Sequence, residues 1–158
     1  MKNFLMQIIL HFLYRGIKVL NGKDTLITQE LKRLPNYYKI KIETDLVDAR
    51  KLCIEIVDGK VKKIKDENQK FDITIKFKDK DLAFKVFTGQ KGIASAFSEH
   101  DFVLYGNIYE AMGITRVLEQ VEGYLFPKFI NKKILKEPVE REISIFKTYL
   151  LCLFKFKN

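Results

Sequence analysis

The sequence predicts an α+β fold, a five-stranded and mostly antiparallel sheet with helices packed on one of its faces. Two observations carry this. Apolar residues recur at helical spacing at both ends of the chain, and they alternate with period two through its middle. The order of elements is two helices, a three-strand meander, a fourth strand, two short helices, a fifth strand and further helices. Strands and helices segregated in this way stack as a sheet beneath a helical layer.

The first helix is expected from Lys2 to Leu20, where Asn21-Gly22 supplies a stop. Gln7, His11, Arg15 and Lys18 form its polar stripe, and the rest is apolar enough to be mostly buried. Asp24 or Thr25 caps a second helix that Pro35 closes after Leu34. Tyr38, Ile40 and Ile42 then alternate with Lys39, Lys41 and Glu43, as do Leu52, Ile54 and Ile56 with Cys53 and Glu55. Asp58-Gly59 makes a two-residue hairpin turn into a Lys-rich strand, Lys60 to Lys65, whose charges suit a sheet edge. Phe71, Ile73, Ile75 and Phe77 form one side of the clearest strand. Asp79 and Asp81 favour a helix start, so Leu82 to Phe87 reads as a short helix, Ile93 to Ser98 as another, and Phe102 to Tyr105 as the fifth strand. Ile114, Val117, Leu118, Val121 and Tyr124/Leu125 repeat at helical spacing until Pro127. A basic connection follows, and Pro138 is expected to start a last helix bearing Val139, Ile143, Phe146, Leu150 and Leu153/Phe154.

At 158 residues the chain has the length of one domain, with residues 1–34, 36–127 and 138–158 as its helical start, its core and its last helix. Apolar residues make up 47% and aromatics 13%, which excludes a disordered chain. The net charge of +9 rests on Lys, with Arg only at positions 15, 33, 50, 116 and 141. Specific nucleic-acid recognition leans on the Arg fork, so nucleic acid is not the expected partner. Spread Lys residues keep a surface solvated and favour transient contact with anionic membranes. Cys53 and Cys152 fit no metal or disulfide pattern, as suits a reducing cytosol. The apolar run Phe4 to Tyr14 lacks a small-residue cleavage site and is too short to span a bilayer, so a soluble chain is expected.

No catalytic set, metal site or cofactor site is expected. Ser98-Glu99-His100-Asp101 holds nucleophile, base and acid types, but adjacent residues do not readily make a relay, and a polar loop before a strand explains them. Gly89-Gln90-Lys91-Gly92 lacks phosphate-loop spacing and reads as a turn between short helices. Glu119 and Glu122, three apart on one helix, read as a solvated face.

Four fragments resemble the sterol carrier protein family. Phe71-Asp72-Ile73-Thr74-Ile75-Lys76-Phe77 is similar to its central strand, with Thr88-Gly89 at the end of the following helix. Ala96-Phe97 falls in the next helix, and Gly106-Asn107-Ile108-Tyr109-Glu110-Ala111-Met112 is similar to its Gly-Asn turn and Ala-Met helix start. The resemblance is firmest from Phe71 to Leu118 and extends loosely over residues 36–125. It implies a non-enzymatic protein that binds or transfers a sterol or fatty-acyl lipid in a tunnel between sheet and helices. The chain ends Phe156-Lys157-Asn158 rather than in a Ser-Lys-Leu-like address, so neither the ligand nor the compartment carries over from the better-known members, and the cysteine pattern sets the expected location as cytoplasmic.

The resemblance makes the apolar residues of these elements candidate tunnel walls. These are Ile75 and Phe77 on the fourth strand, Phe84 and Phe87 on the short helix, and Phe97 on the next. Phe102 and Leu104 come from the fifth strand, and Met112, Leu118, Val121 and Tyr124 from the long helix. Burying a lipid chain gains about 0.8 kcal/mol per CH₂, nearly what a bilayer offers, so no charged anchor is required inside. Phe146, Leu150, Leu153 and Phe154 on the last helix are candidates for a lid with a basic, aromatic end, Lys155-Phe156-Lys157, or for a simply docked helix. The same fold with a filled interior would instead serve as an interaction or dimerisation module, and oligomeric state stays open.

Overall fold

The computed structural model describes residues 2–44, 51–135 and 137–154. The chain begins with α1 (Lys2–Leu20) and α2 (Thr25–Arg33), then enters the sheet through β1 (Tyr38–Thr44), β2 (Leu52–Val57) and β3 (Lys60–Lys63). After β4 (Ile73–Phe77) come α3 (Lys80–Phe87), α4 (Ile93–Ser98) and β5 (Phe102–Tyr105), and then α5 (Ile108–Leu125), α6 (Lys128–Ile134) and α7 (Ile145–Phe154).

The helix starts follow from capping chemistry. Asp24 accepts from the Ile27 N–H, Asp79 from the Leu82 N–H, and Asn107 from the Tyr109 and Glu110 N–H groups. At Asp58-Gly59 both residues take positive φ, 51° and 69°, the conformation that lets a two-residue turn follow the twist of its strands.

The sheet order is β3-β2-β1-β4-β5. β1 runs parallel to β4, and the other three pairings are antiparallel. The sheet is therefore mixed and mostly antiparallel. Register aligns the apolar positions in rows: Leu52, Ile42, Ile75 and Leu104 lie side by side across four strands, as do Ile54, Ile40 and Ile73. One face is thereby apolar, and α1 and α3 pack on it. Lys39, Lys41, Thr74 and Lys76 occupy the alternate positions on the opposite face. The Lys-rich β3 is an edge strand.

Several boundaries differ from the sequence expectation, among them the start of α3 at Lys80 instead of Leu82. β3 stops at Lys63, short of Lys65. β4 starts at Ile73, because Asp72 turns its carboxylate back to accept from the Lys39 N–H (2.8 Å) and Phe71 lies outside the strand, beneath the Lys41 ammonium. The basic connection after Pro127 is a helix, α6, anchored by buried Asn131 and Ile134. The last helix begins at Ile145 instead of Pro138. The intervening segment is held as a non-helical strap by contacts remote in sequence. The Arg141 guanidinium donates to the carbonyls of Gly123 (2.8 Å) and Phe126 (3.4 Å), and the Glu142 N–H donates to the Tyr124 hydroxyl (2.7 Å). Val139 packs against Gly123, where an added Cβ would stand 2.6 Å from its side chain.

Tyr124 ties this strap to the N-terminal helices. Its fully buried hydroxyl donates to Asp24 Oδ2 (2.8 Å), which Gln120 also contacts. Burial first, and then the bond to Asp24, push its hydroxyl up to about 12. Glu142 completes the junction by accepting from the Thr25 N–H (2.6 Å). Tyr124→Phe is expected to cost about 1–3 kcal/mol in urea unfolding, because it strips a buried partner from the junction without removing volume. An unchanged midpoint would refute that role.

Candidate functional site

Four concavities indent the described residues; one of about 240 Å³, between α1, β2 and the end of β3, has polar walls that include Gln7, His11, Lys51 and Glu67. The most voluminous, about 730 Å³, is a groove between α2, α5 and the strap, with many acidic walls. Its side chains are largely committed to one another: Glu30 pairs with Arg33 (3.2 Å) and Arg116 (3.0 Å), and Gln120 donates to Asp24 (2.8 Å). A cleft of about 480 Å³ beside α6 is lined by Lys128, Lys132, Arg141, Glu137 and neighbouring residues. The smallest of the four, about 180 Å³, is different in character, because almost every wall is apolar.

This apolar pocket is built from four helices. α1 contributes Ile8, Ile9, Phe12 and Leu13, α3 contributes Phe87, and α5 with its following residue contributes Glu122, Leu125 and Phe126. α7 closes it with Tyr149, whose hydroxyl donates to the Leu125 carbonyl. Helical spacing continues the apolar surface outward. On α1, Leu5, Ile8 and Phe12 share one stripe, and on α7, Phe146, Tyr149 and Leu153 share another. The outer residues of both stripes, Leu5 and Phe146 among them, face solvent.

Glu122 is the anomaly in these walls. The sequence places it on a solvated face, yet the residue is only 4% exposed. Its carboxyl accepts from the Ile93 N–H at the start of α4, while Oε2 is buried with no hydrogen-bond partner. Burial, the largest cause, raises its proton affinity well above the usual carboxylate range, and the nearby Glu119 charge adds to this. A signal for this burial exists in the sequence: Glu122 stands four residues after Leu118 and three before Leu125, within the buried stripe of α5.

The candidate tunnel residues separate into three groups. Phe87 lines the apolar pocket. Ile75, Phe77, Phe102, Leu118, Val121 and Tyr124 are buried in the main core, with Phe84 and Leu104 packed against it. Phe77 meets Phe87 edge-on at 5.3 Å and Phe102 at 5.2 Å between ring centres. Phe97 and Met112 are 38% and 48% exposed. Between the sheet and α1, the space bordered by Met6, Leu10, Ile42, Thr44, Phe77 and Phe87 amounts to about 10 Å³, roughly the threshold for one water. Of the candidate lid residues, Phe146 and Phe154 are 72% and 73% exposed, and Leu150 and Leu153 are partly so. Lys155-Phe156-Lys157 lies outside the described residues.

The polar residues considered for catalysis are engaged elsewhere. Lys91 bridges Glu99 (2.7 Å) and Asp101, and the Ser98 hydroxyl donates to the Ser95 carbonyl (3.0 Å). His100 occupies a left-handed turn (φ 58°) between α4 and β5. Gly89 to Gly92 form the turn between α3 and α4. Cys53 and Cys152 are buried free thiols. Among the described residues, no three His, Cys, Asp or Glu side chains gather to hold a metal ion, and no helix is long and apolar enough to cross a membrane.

Solved structures similar to this chain include sterol carrier proteins. Sterol Carrier Protein 2 from Yarrowia lipolytica in its apo form superposes with a TM-score of 0.48 at 17% identity, covering 75% of this chain and 93% of that one. Sterol Carrier Protein 2 Like 2 from Aedes aegypti gives 0.44 at 13% identity, over 70% of this chain and 97% of that one. A UbiJ-SCP2 ubiquinone synthesis protein gives 0.47 at 11% identity, over 77% and 95%. No family model and no curated protein matches the sequence. The family these structures name is the one that the fragments between residues 71 and 118 resemble.

Proposed function

We propose that the protein binds an apolar lipid, one end of which enters the pocket between α1, α3, α5 and α7. The observation that carries this reading is the pocket itself, about 180 Å³ with nearly continuous apolar walls. The pocket is open to solvent on one side, so its apolar walls hold water that an apolar ligand would displace favourably. A dry apolar cavity of roughly 150 Å³ accepts a benzene-sized guest, which sets the scale of what fits here. A longer lipid would place its remainder along the exposed stripes of α1 and α7. In that arrangement α7 acts as the lid, with Tyr149 as its inner contact and Phe146 and Leu153 flanking the ligand.

Native mass spectrometry of the purified protein, with extraction of bound lipid, tests this directly. A co-purifying lipid is expected, and Ile8→Trp at the rim should weaken displacement of a fluorescent fatty acid by about tenfold or more without lowering the melting temperature. Absence of any lipid together with absence of displacement would overturn the reading.

A second reading is supported by the space of about 10 Å³ between sheet and α1. The fold would then be an interaction module whose α1 and α7 stripes cover a second copy or a partner protein. Concentration-dependent dimerisation by sedimentation, with no lipid bound, is its signature.

A further inference from the structure

We infer that the cleft between α1 and the end of β3 binds a phosphate monoester, held by Lys63, Lys65 and His11. The site is separate from the apolar pocket and shares no wall residue with it. Three observations carry the inference: a concavity of about 240 Å³, an excess of cations in its walls, and a lysine that the sheet register turns inward.

Lys63 is the unusual member. Side chains alternate along a strand, so Lys63 shares the face of buried Val61 and lies beside Ile54, on the side that α1 covers. An apolar residue is expected at such a position. Tyr14 on α1 fixes the approach, its hydroxyl accepting from the Lys63 N–H. Across the cleft α1 presents Gln7 and His11, one turn apart on its polar stripe.

The carboxylates at hand are already engaged. Glu67 is the one carboxylate among the described wall residues, and it lies 3.6 Å from the Lys51 ammonium, which Glu43 also approaches (3.9 Å). Among the described residues, Lys63 and Lys65 have no carboxylate partner. His11 registers the resulting field: burial first, and then the Arg15 and Lys63 charges, lower the proton affinity of its imidazole. An anion in the cleft offsets those two charges and so binds the protonated imidazole better.

The ligand class follows from the count of charges and donors. Two ammonium groups and a histidine match a dianion, and the Gln7 amide adds a neutral donor. A carboxylate brings a single charge and leaves one lysine uncompensated. A phosphate monoester carries about two charges at pH 7, spread over three oxygens. The cleft has room for the phosphate with a small organic group attached.

Phenyl phosphate and benzoate, titrated into the full chain at pH 7 and low salt, test this through the imidazole resonances of its two histidines. Phenyl phosphate is expected to bind about tenfold tighter than benzoate, to be displaced by inorganic phosphate, and to shift His11 while leaving His100 still. At saturation the His11 titration midpoint should rise by about one pH unit, which corresponds to a tenfold preference for the protonated form. Lys63→Gln should weaken phenyl phosphate about tenfold, whereas Lys62→Gln, which removes the same charge from the other side of β3, should stay within about twofold. Equal losses in the two variants, equal binding of benzoate, or a His11 resonance indifferent to phenyl phosphate overturns the site. Vesicles of phosphatidylcholine with and without phosphatidic acid identify the source of the phosphate. Capture that needs phosphatidic acid and fails in Lys63→Gln assigns a membrane headgroup. Phenyl phosphate binding without capture assigns a soluble ester.

Discussion

Glu122→Gln is expected to raise the melting temperature relative to the wild-type protein at pH 8 and to leave it nearly unchanged at pH 4. The Glu122 carboxyl is buried on the inner face of α5, and burial is the main cause that raises its proton affinity in the folded state. The charged group facing it is Glu119, which acts in the same direction, while the Ile93 N–H at α4 opposes both. α1, α3 and α7 bring apolar side chains and Tyr149 to the same wall. In the unfolded chain this carboxyl ionises in the ordinary range, around pH 4.3. Below that range both states hold the proton and the substitution is silent. Above it the unfolded chain has released its proton while the folded chain still holds one, so each rise in pH favours unfolding. The stability of the neutral form is therefore full below the unfolded value and lost as pH climbs through the folded one. Gln has no proton to release. The gap between the two melting curves should widen from pH 4 upward, reaching several degrees, since one kcal/mol is worth roughly 2–4 °C in a chain of this size. A gap that stays flat between pH 4 and pH 8 would mean that Glu122 is solvated after all.

What the sequence makes legible here is local, and what it hides is remote. The strand pattern at Ile73, Ile75 and Phe77 depends only on alternation, and the caps at Asp24, Asp79 and Asn107 depend on one side chain reaching a backbone group two or three residues away. Such features are recoverable from short windows. The strap between α6 and α7 is not. It is held in place by Arg141 reaching back to Gly123 and by Tyr124 reaching forward to Glu142, contacts that span 18 residues. Pro138 carries a real helix-start preference, and those contacts override it. α6 was hidden for a related reason: Lys128, Lys132 and Lys133 read as a solvated connection, but Asn131 and Ile134 turn inward to meet α5 and the α3–α4 turn.

The candidate site divides in the same way. The apolar side chains of β4, α3, β5 and α5 are visible from their periodicity, but periodicity cannot say whether a phenylalanine fills a core or borders a space. Phe77 and Phe87 meet edge-on in the core, while Phe87 also reaches the pocket. The pocket depends on how α7 seats against α1 and α5, and so on the strap that delivers α7 there. Glu122 is the instructive case. Its spacing from Leu118 and Leu125 marks it as inward-facing, but charge type and the neighbouring Glu119 argue for solvent. Helix geometry decides the matter.

Gly92→Ala is expected to be strongly destabilising although it adds a single methyl group. The backbone of Gly92 is ordinary, with φ −74° and ψ 149°, so conformation alone would tolerate any residue. Space does not: a Cβ there would lie 2.0 Å from the carbonyl oxygen of Ile134 and 3.0 Å from its carbonyl carbon. The obstruction is backbone, at the end of α6, and it cannot rotate away as a side chain could. Relief requires α6 to shift off the start of α4. That movement would disturb buried Ile134, the Asn131 amide donating to the Gly123 carbonyl (2.8 Å), and the Ile93 N–H that serves Glu122. Overpacking of a rigid site costs about 1–3 kcal/mol and sometimes more, here with loosened buried hydrogen bonds added. Urea unfolding should show a midpoint lowered accordingly at unchanged slope, and the pH dependence attributed to Glu122 should weaken, because its wall would open to water. Gly22→Ala serves as the control, since no atom lies within 4 Å of its added Cβ and only its positive φ of 82° is strained. If Gly92→Ala leaves the urea midpoint unchanged, the close approach of α6 to α4 does not constrain this corner of the fold.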